Sequence, residues 1–211
     1  MKVCFIGVGS IGKRHMKNLK QIFEDRSEDL QIDVCRSGRG RPLGEEIRTL
    51  ITQSYNSLTE LPEDYDVIFI TNPTEYHLEV LKVVNDKAKH FFIEKPITSI
   101  KQLGHFAEIQ ETEGKTYYVA CPLRYTKVIQ YVKNHISNEQ VFGVRCISSS
   151  YLPEWRPGQD YRDTYSAHKD LGGGVAIDLI HEWDYIKYLF GMPDMVHKVI
   201  TRVSDLEIDS D

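Results

Sequence analysis

The feature that most constrains this chain is an unbroken alternation of strand-like and helix-like segments from residue 2 to about residue 121. Residues 2–8 (KVCFIGV) are a short apolar run rich in β-branched and aromatic side chains, the pattern of a buried strand. Residues 10–23 place Ile11, Met16, Leu19, Ile22 and Phe23 at helical spacing. Further strands are expected at 30–35 (LQIDVC), 66–71 (DVIFIT), 90–94 (HFFIE) and 116–121 (TYYVAC), with helices at 45–52, 75–87 and 99–113. A run such as DVIFIT is apolar on both faces, which suits a parallel sheet covered by helices on both sides. The alternation predicts an α/β fold built on a doubly wound parallel sheet.

The texture changes beyond residue 121. A helix is expected at 125–135 and a strand at 141–152. A polar, aromatic loop over 153–170, a glycine run at 172–174, an apolar helix at 175–190 and a strand at 195–203 follow. The chain thus divides into a first domain over 1–121 and an α+β second domain over 122–211. Charge narrows the function: 26 basic against 31 acidic residues leave a net −5, without the bulk attraction that nucleic acid or an anionic membrane requires. No apolar run approaches the roughly 20 residues of a membrane span, and the first ten residues read as a strand rather than a signal peptide. Cys4, Cys35, Cys121 and Cys146 form no C-x-x-C pair, and each lies in an apolar run. They read as small buried hydrophobes of a reducing cytoplasm, and no metal site is expected.

The first turn carries the chemistry. Gly7-Val8-Gly9-Ser10-Ile11-Gly12 is G-x-G-x-x-G, placed after a strand and at the opening of a helix. In that context Gly7 allows the tight turn, Gly9 lets a pyrophosphate approach the backbone, and Gly12 lets helix and strand pack closely. The helix start, at Ser10 and Ile11, presents free N–H groups to phosphate. These features predict a dinucleotide-binding Rossmann domain, although S-adenosylmethionine and flavin sites share the loop geometry. The second strand ends Cys35-Arg36-Ser37, with Arg39 and Arg41 close behind, while Asp33 lies earlier in the strand. A cation and a hydroxyl at the tip, rather than the ribose-binding acid of NAD proteins, suit a 2′-phosphate. NADP is therefore expected, with NAD possible.

Two further strand ends face the same crevice in this architecture: Thr71-Asn72-Pro73-Thr74-Glu75-Tyr76-His77 and Glu94-Lys95-Pro96. Thr71, Asn72, Pro73, His77, Glu94 and Lys95 are accordingly expected at the cofactor. With GVGSIGKRH at 7–15, TNPTEYH at 71–77, EKP at 94–96, Arg124-Tyr125 and GGGVAIDLIHEWDYIKYLFG at 172–191, the chain resembles the Gfo/Idh/MocA oxidoreductases along nearly its whole length. The resemblance implies a nicotinamide cofactor and hydride transfer to or from a hydroxyl carbon, commonly of a sugar. The loop over 151–174 further looks like members of nucleotide-sugar and nonulosonic acid biosynthesis. Carried over residue by residue, Lys95 takes the lysine role, Asp178 the aspartate role and His181 the histidine role. The Asp-to-His spacing here is one residue shorter than in many members; on a continuous helix both spacings share a face, and Asp184, one turn on, could substitute for or orient His181.

In hydride transfer from an alcohol the hydroxyl proton must leave, and His181, with an ordinary value of about 6.5, suits the acceptor. Asp178 would orient it and Lys95 hold the substrate oxygen, with Lys95 the alternative base. Trp155, Arg156 and Tyr161, with Arg162 and Tyr165, form the candidate substrate-recognition loop, joined by Arg124; arginine binds carboxylate or phosphate through paired hydrogen bonds. Members of the resembling family are longer, so the chain is expected to be C-terminally truncated, with an incomplete open sheet. Unpaired strand edges then favour a homo-oligomer. The alternative function is a nucleotide-binding protein with weak or no turnover.

Overall fold

The computed structural model describes residues 1–211 except 39–41, 110, 137–139, 169–172 and 209–211. The chain divides into two compact units, Met1–Ala120 and Cys121–Asp211.

In the first unit the strands β1 (Lys2–Ile6), β2 (Gln31–Cys35), β3 (Gln53–Tyr55), β4 (Tyr65–Ile70), β5 (Ala88–Ile93) and β6 (Thr116–Val119) form one sheet in the order β3-β2-β1-β4-β5-β6. Every pairing is parallel, for example Phe5 with both Val34 and Phe69. The order reverses between β1 and β4, which opens a crevice at the carboxyl ends of these two strands. Side chains alternate between faces along each strand. Val3, Phe5, Ile32, Val34 and Phe69 pack with Met16 of α1 (Ser10–Arg26) and Ile47 of α2 (Glu45–Arg48). Cys4, Ile6, Ile68, Ile70, Phe91 and Ile93 pack with Leu81 and Val84 of α3 (His77–Val84). Full burial of such a side chain contributes about 1.5–3 kcal/mol, so both faces of the sheet are apolar and the strands read as continuous hydrophobic runs.

Several expected elements differ. The helix at 99–113 is a 3-10 helix, Ile100–Glu108. Gly104 weakens its α-helical propensity, and Ile100, Leu103 and Phe106 on it are exposed, so no packed stripe enforces the wider turn. The helix at 45–52 shortens to α2, and its last residues lead into β3, a short edge strand with no hydrophobic alternation in its sequence. Cys4 and Cys35 are buried thiols, raised by burial and by neighbouring negative groups, whereas Cys146 is exposed, against expectation. Asp33 is buried mid-strand, where the Tyr65 hydroxyl donates to it at 2.9 Å.

In the second unit, α4 (Lys127–Ile136) follows a 3-10 turn at Pro122–Tyr125. The helix expected at 175–190 is interrupted: α5 (Val175–Asp178) ends, Leu179 leaves the helical region at φ −94°, ψ 36°, and α6 (His181–Phe190) begins. The strands expected at 141–152 and 195–203 are absent among the described residues. Backbone in strand conformation is held by the ladder to a neighbouring strand, and neither segment has one; Phe142 and Val199 stand about nine-tenths exposed. No described helix is long and apolar enough to cross a membrane.

Candidate cofactor and active site

The glycine turn is built as its sequence implies. Gly7 has φ +85°, and a Cβ there would lie 2.7 Å from the Cα and N of Asn72. A Cβ on Gly12 would lie 2.7 Å from the Gly7 carbonyl and 2.9 Å from Thr71 Oγ1. Both positions therefore hold backbone against backbone. Gly9 is different: nothing lies within 4 Å of a Cβ built there. Gly9 is also the N-cap of α1 and supplies no side-chain bond to the helix. Exposed Ser10 and half-buried Ile11 follow it at the open end. The first turn of a 17-residue helix thus points unblocked N–H groups and positive partial charge into the crevice.

Thr71 supports this turn: its hydroxyl donates to the Gly7 carbonyl at 2.5 Å, and its backbone N–H bonds Ile6 O at 2.9 Å. Beside it, Asn72 keeps a buried Oδ1 with no hydrogen-bond partner among the described residues, and Pro73 is exposed. An orphaned polar atom and an open cradle at the switch point fit a dinucleotide.

His77 is placed differently from expectation. It is fully buried, its Nε2 lies 2.8 Å from Asn72 O and its Nδ1 3.1 Å from Pro96 O. Each ring nitrogen faces a backbone carbonyl, one of which the neutral ring donates to, so His77 sits between the two turns rather than facing the open crevice. Burial lowers its ordinary value of 6.5, against the Asn72, Pro96 and Ile97 backbone groups and the charge of Glu94, which favour the cation. The unfolded chain therefore binds the proton first. This stability is present above about pH 6.5 and is lost as the pH falls through that value toward the lowered folded one. The melting temperature of the wild type should fall more between pH 7.5 and 5.5 than that of His77→Gln, measured by calorimetry; equal slopes would exclude this role.

Glu94 also turns inward. Its Oε1 lies 2.6 Å from His15 Nε2, and its Oε2 accepts the Lys95 backbone N–H at 3.2 Å. Lys95 is half-buried at the end of β5. His15 is a site neighbour that the sequence reading passed over, although it closes the GVGSIGKRH motif.

The tip of β2 carries half-buried Arg36, whose N–H bonds Tyr55 O at 3.0 Å, and exposed Ser37. Arg39, Arg41 and Gly172 lie outside the described residues. Asp33 lies two residues inside the strand end, bound to Tyr65, so no acid stands at the tip itself.

Within the second unit, four of the expected residues gather: Trp155, Arg156, Tyr165 and Asp178. A cavity of about 320 Å³ is lined by Trp155 and Asp178, together with Tyr151, Ser166 and Gly174. The Tyr165 hydroxyl donates to Asp178 Oδ1 at 3.1 Å, and the Arg156 guanidinium lies 5.5 Å over the Tyr165 ring. Burial first, and then the Asp178 carboxylate, push the Tyr165 phenol up. Gly173 permits this closure, because a Cβ there would meet Tyr165 O at 2.1 Å. Trp155 donates to Ser150 Oγ at 2.9 Å, while the Tyr161 hydroxyl accepts from the Glu207 N–H at 3.2 Å.

Asp178 ends α5 and His181 opens α6, so the two do not share one continuous helical face. Asp184 is taken by Arg124, whose Nε donates to Oδ2 at 2.9 Å with its Nη2 on Oδ1. Burial pushes this carboxylate up, but Arg124, the Cys121 thiol and the charge of His181 outweigh it and hold Asp184 below its ordinary value. Arg124 is thereby committed to an internal ion pair, with its guanidinium 5.3 Å over the Tyr188 ring. Among the described residues no group of His, Cys, Asp and Glu is arranged to hold a metal ion.

The fold and the glycine turn define a dinucleotide-binding Rossmann protein. The chain belongs to the GFO_IDH_MocA oxidoreductase family, whose NAD-binding Rossmann model matches residues 1–121. It is 27% identical to the uncharacterized oxidoreductase YrbE of Bacillus subtilis over 88% of this chain and 52% of that protein. It is 24% identical to the myo-inositol 2-dehydrogenase of Thermotoga maritima over 90% of this chain and 55% of that protein. The chain thus spans about half the length of these curated relatives. Its fold matches the WlbA (WbpB) dehydrogenase of Thermus thermophilus, solved with NAD and UDP-GlcNAcA, at a TM-score of 0.70 and 17% identity, covering 97% of this chain and 67% of that one.

Proposed function

We propose that this chain carries the nucleotide-binding half of a dehydrogenase or reductase that takes NADP in preference to NAD and moves a hydride to or from a hydroxyl carbon of a sugar or sugar-nucleotide-type substrate. The observation that carries the reading is the steric pattern of the glycine turn, closed at Gly7 and Gly12 and open at Gly9. The inositol dehydrogenase relative and the UDP-GlcNAcA-bound fold neighbour support the substrate class. Gly7, Gly9, Ser10, Ile11 and Gly12 would hold the pyrophosphate, Arg36 and Ser37 the 2′-phosphate, and Asn72 and Pro73 the ring-bearing half. Bound there, the cofactor supplies hydride exchange. The protein supplies placement and proton handling: Lys95 holds the substrate oxygen and His181 accepts the hydroxyl proton, while Asp178, bonded by Tyr165, lines the neighbouring cavity. Trp155, Arg156 and Tyr161 contact the substrate. The assembly is proposed as a cytoplasmic homo-oligomer.

A melt with NADP and NAD added separately tests the cofactor. A ligand at 100 times its Kd adds about 2.7 kcal/mol to folded stability, so at equal concentration NADP should raise the midpoint more than NAD; an equal or larger rise with NAD would overturn the preference. The segments 141–152 and 195–203, which form no strand among the described residues, favour a second reading, a nucleotide-binding module with little turnover. A panel of nucleotide sugars assayed with NADP separates the two.

A further inference from the structure

We propose that His15 is a positioning residue for Lys95, acting through Glu94, so that the helix carrying the glycine cradle also sets the turn that carries the lysine. The inference rests on the reading of Lys95 as the group that meets the substrate oxygen.

The link is continuous and short. His15 lies on α1, the helix whose N-terminus opens the cradle and whose Gly12 packs on the Gly7 carbonyl. Its Nε2 meets Glu94 Oε1 at 2.6 Å, across 79 residues of sequence. The other oxygen of the same carboxylate accepts the Lys95 amide at 3.2 Å. Glu94 is nearly buried, and the His15 ring stands edge-on to Phe92 at 5.0 Å and tilted to Phe69 at 6.4 Å. The two rings pack against the partly buried imidazole and limit its rotation, and a hydrogen bond to a carboxylate is shorter and stronger than one between neutral groups. On the far side of the turn His77 holds the Pro96 carbonyl. Residue 95 is thus tied on one side through its own amide to α1 and on the other, through its neighbour, to α3. A small displacement of a catalytic group costs a large factor in rate, so the tie bears on turnover more than on cofactor affinity.

Amide hydrogen exchange reads this without any assay of activity. In His15→Ala, exchange in the peptide covering 91–99 should rise about tenfold, with β1 and β4 unchanged. His15→Gln, which keeps an N–H donor for Glu94, should restore most of the protection. Glu94→Ala cuts the same tie from the other end and should match His15→Ala, with the double variant no faster than either. Should His15→Ala fail to fold, Glu94→Ala compared with His15→Gln decides the question. Where the wild type turns over a substrate, His15→Ala should lower kcat about tenfold and leave the cofactor KM within about twofold. Unchanged exchange in 91–99 overturns the proposal, and so does a rise spread equally over the whole sheet, which marks a merely structural residue. Absence of turnover in the wild type, with the exchange effect intact, would instead strike at the proposed function.

Discussion

Lys95→Ala should lower turnover by on the order of 100-fold or more, while the chain still folds and still responds to cofactor. Removal of one well-placed charged donor from a developing oxyanion costs about 10²–10³ in rate, equivalent to roughly 3–4 kcal/mol. The fold should survive because the backbone of this turn is held by other groups. Glu94 accepts the amide, the Glu94 N–H bonds Ile70 O at 2.9 Å, and His77 holds the Pro96 carbonyl. The Lys95 side chain itself is half-buried and contributes to neither core cluster. The measurement pairs steady-state rates on whichever nucleotide sugar the wild type accepts with thermal melts, with and without NADP. Near-wild-type rates with intact melts would remove Lys95 from the chemistry.

The second large effect separates two glycines of one motif. Gly9→Ala should leave the apo melting temperature nearly unchanged and weaken dinucleotide binding by on the order of 100-fold, or about 2.7 kcal/mol. Gly9 has φ −76° and ψ −165°, which alanine adopts freely, and its surroundings are open. The added methyl fills only the space a pyrophosphate would take. Gly7→Ala should instead lower the apo stability itself by several kcal/mol. Its φ of +85° costs about 1–3 kcal/mol for a residue with a side chain, and the methyl would collide with Asn72 backbone, which a flexible neighbour cannot relieve. Isothermal titration beside calorimetry distinguishes the two outcomes. Full-strength binding by Gly9→Ala would place the ligand elsewhere.

Much of the first unit was legible because its information is local. Strand β1, the glycine turn and helix α1 follow one another within 26 residues, and each is specified by its own composition. Edge strand β3 escaped because it is three residues long and lacks alternation. In the second unit the sequence carried strand-like patterns at 141–152 and 195–203 that came to nothing. The same sequence-level reasoning expected Asp178 and His181 on one helix, where a break at Leu179 separates them. No proline or glycine marks that break.

The site shows the same division. The close packing at Gly7 and Gly12 could be expected in advance, since it depends on missing side chains at fixed offsets. The histidines could not. His77 looked like a cofactor contact and became a brace between Asn72 and Pro96, while His15 attracted no notice and reached Glu94. Arg124 looked free for a substrate and is held by Asp184, 60 residues away.

The sequence by itself determined the parallel α/β sheet, five of its six strands and the glycine turn at its switch point, because hydrophobic period and glycine placement act over a few residues and need no distant partner. Only the tertiary structure decided which acceptor each polar side chain meets and which extended segments become strands. Hydrogen bonds and ladders are pairwise, and the partner is chosen by where the packed core brings residues far apart in the chain.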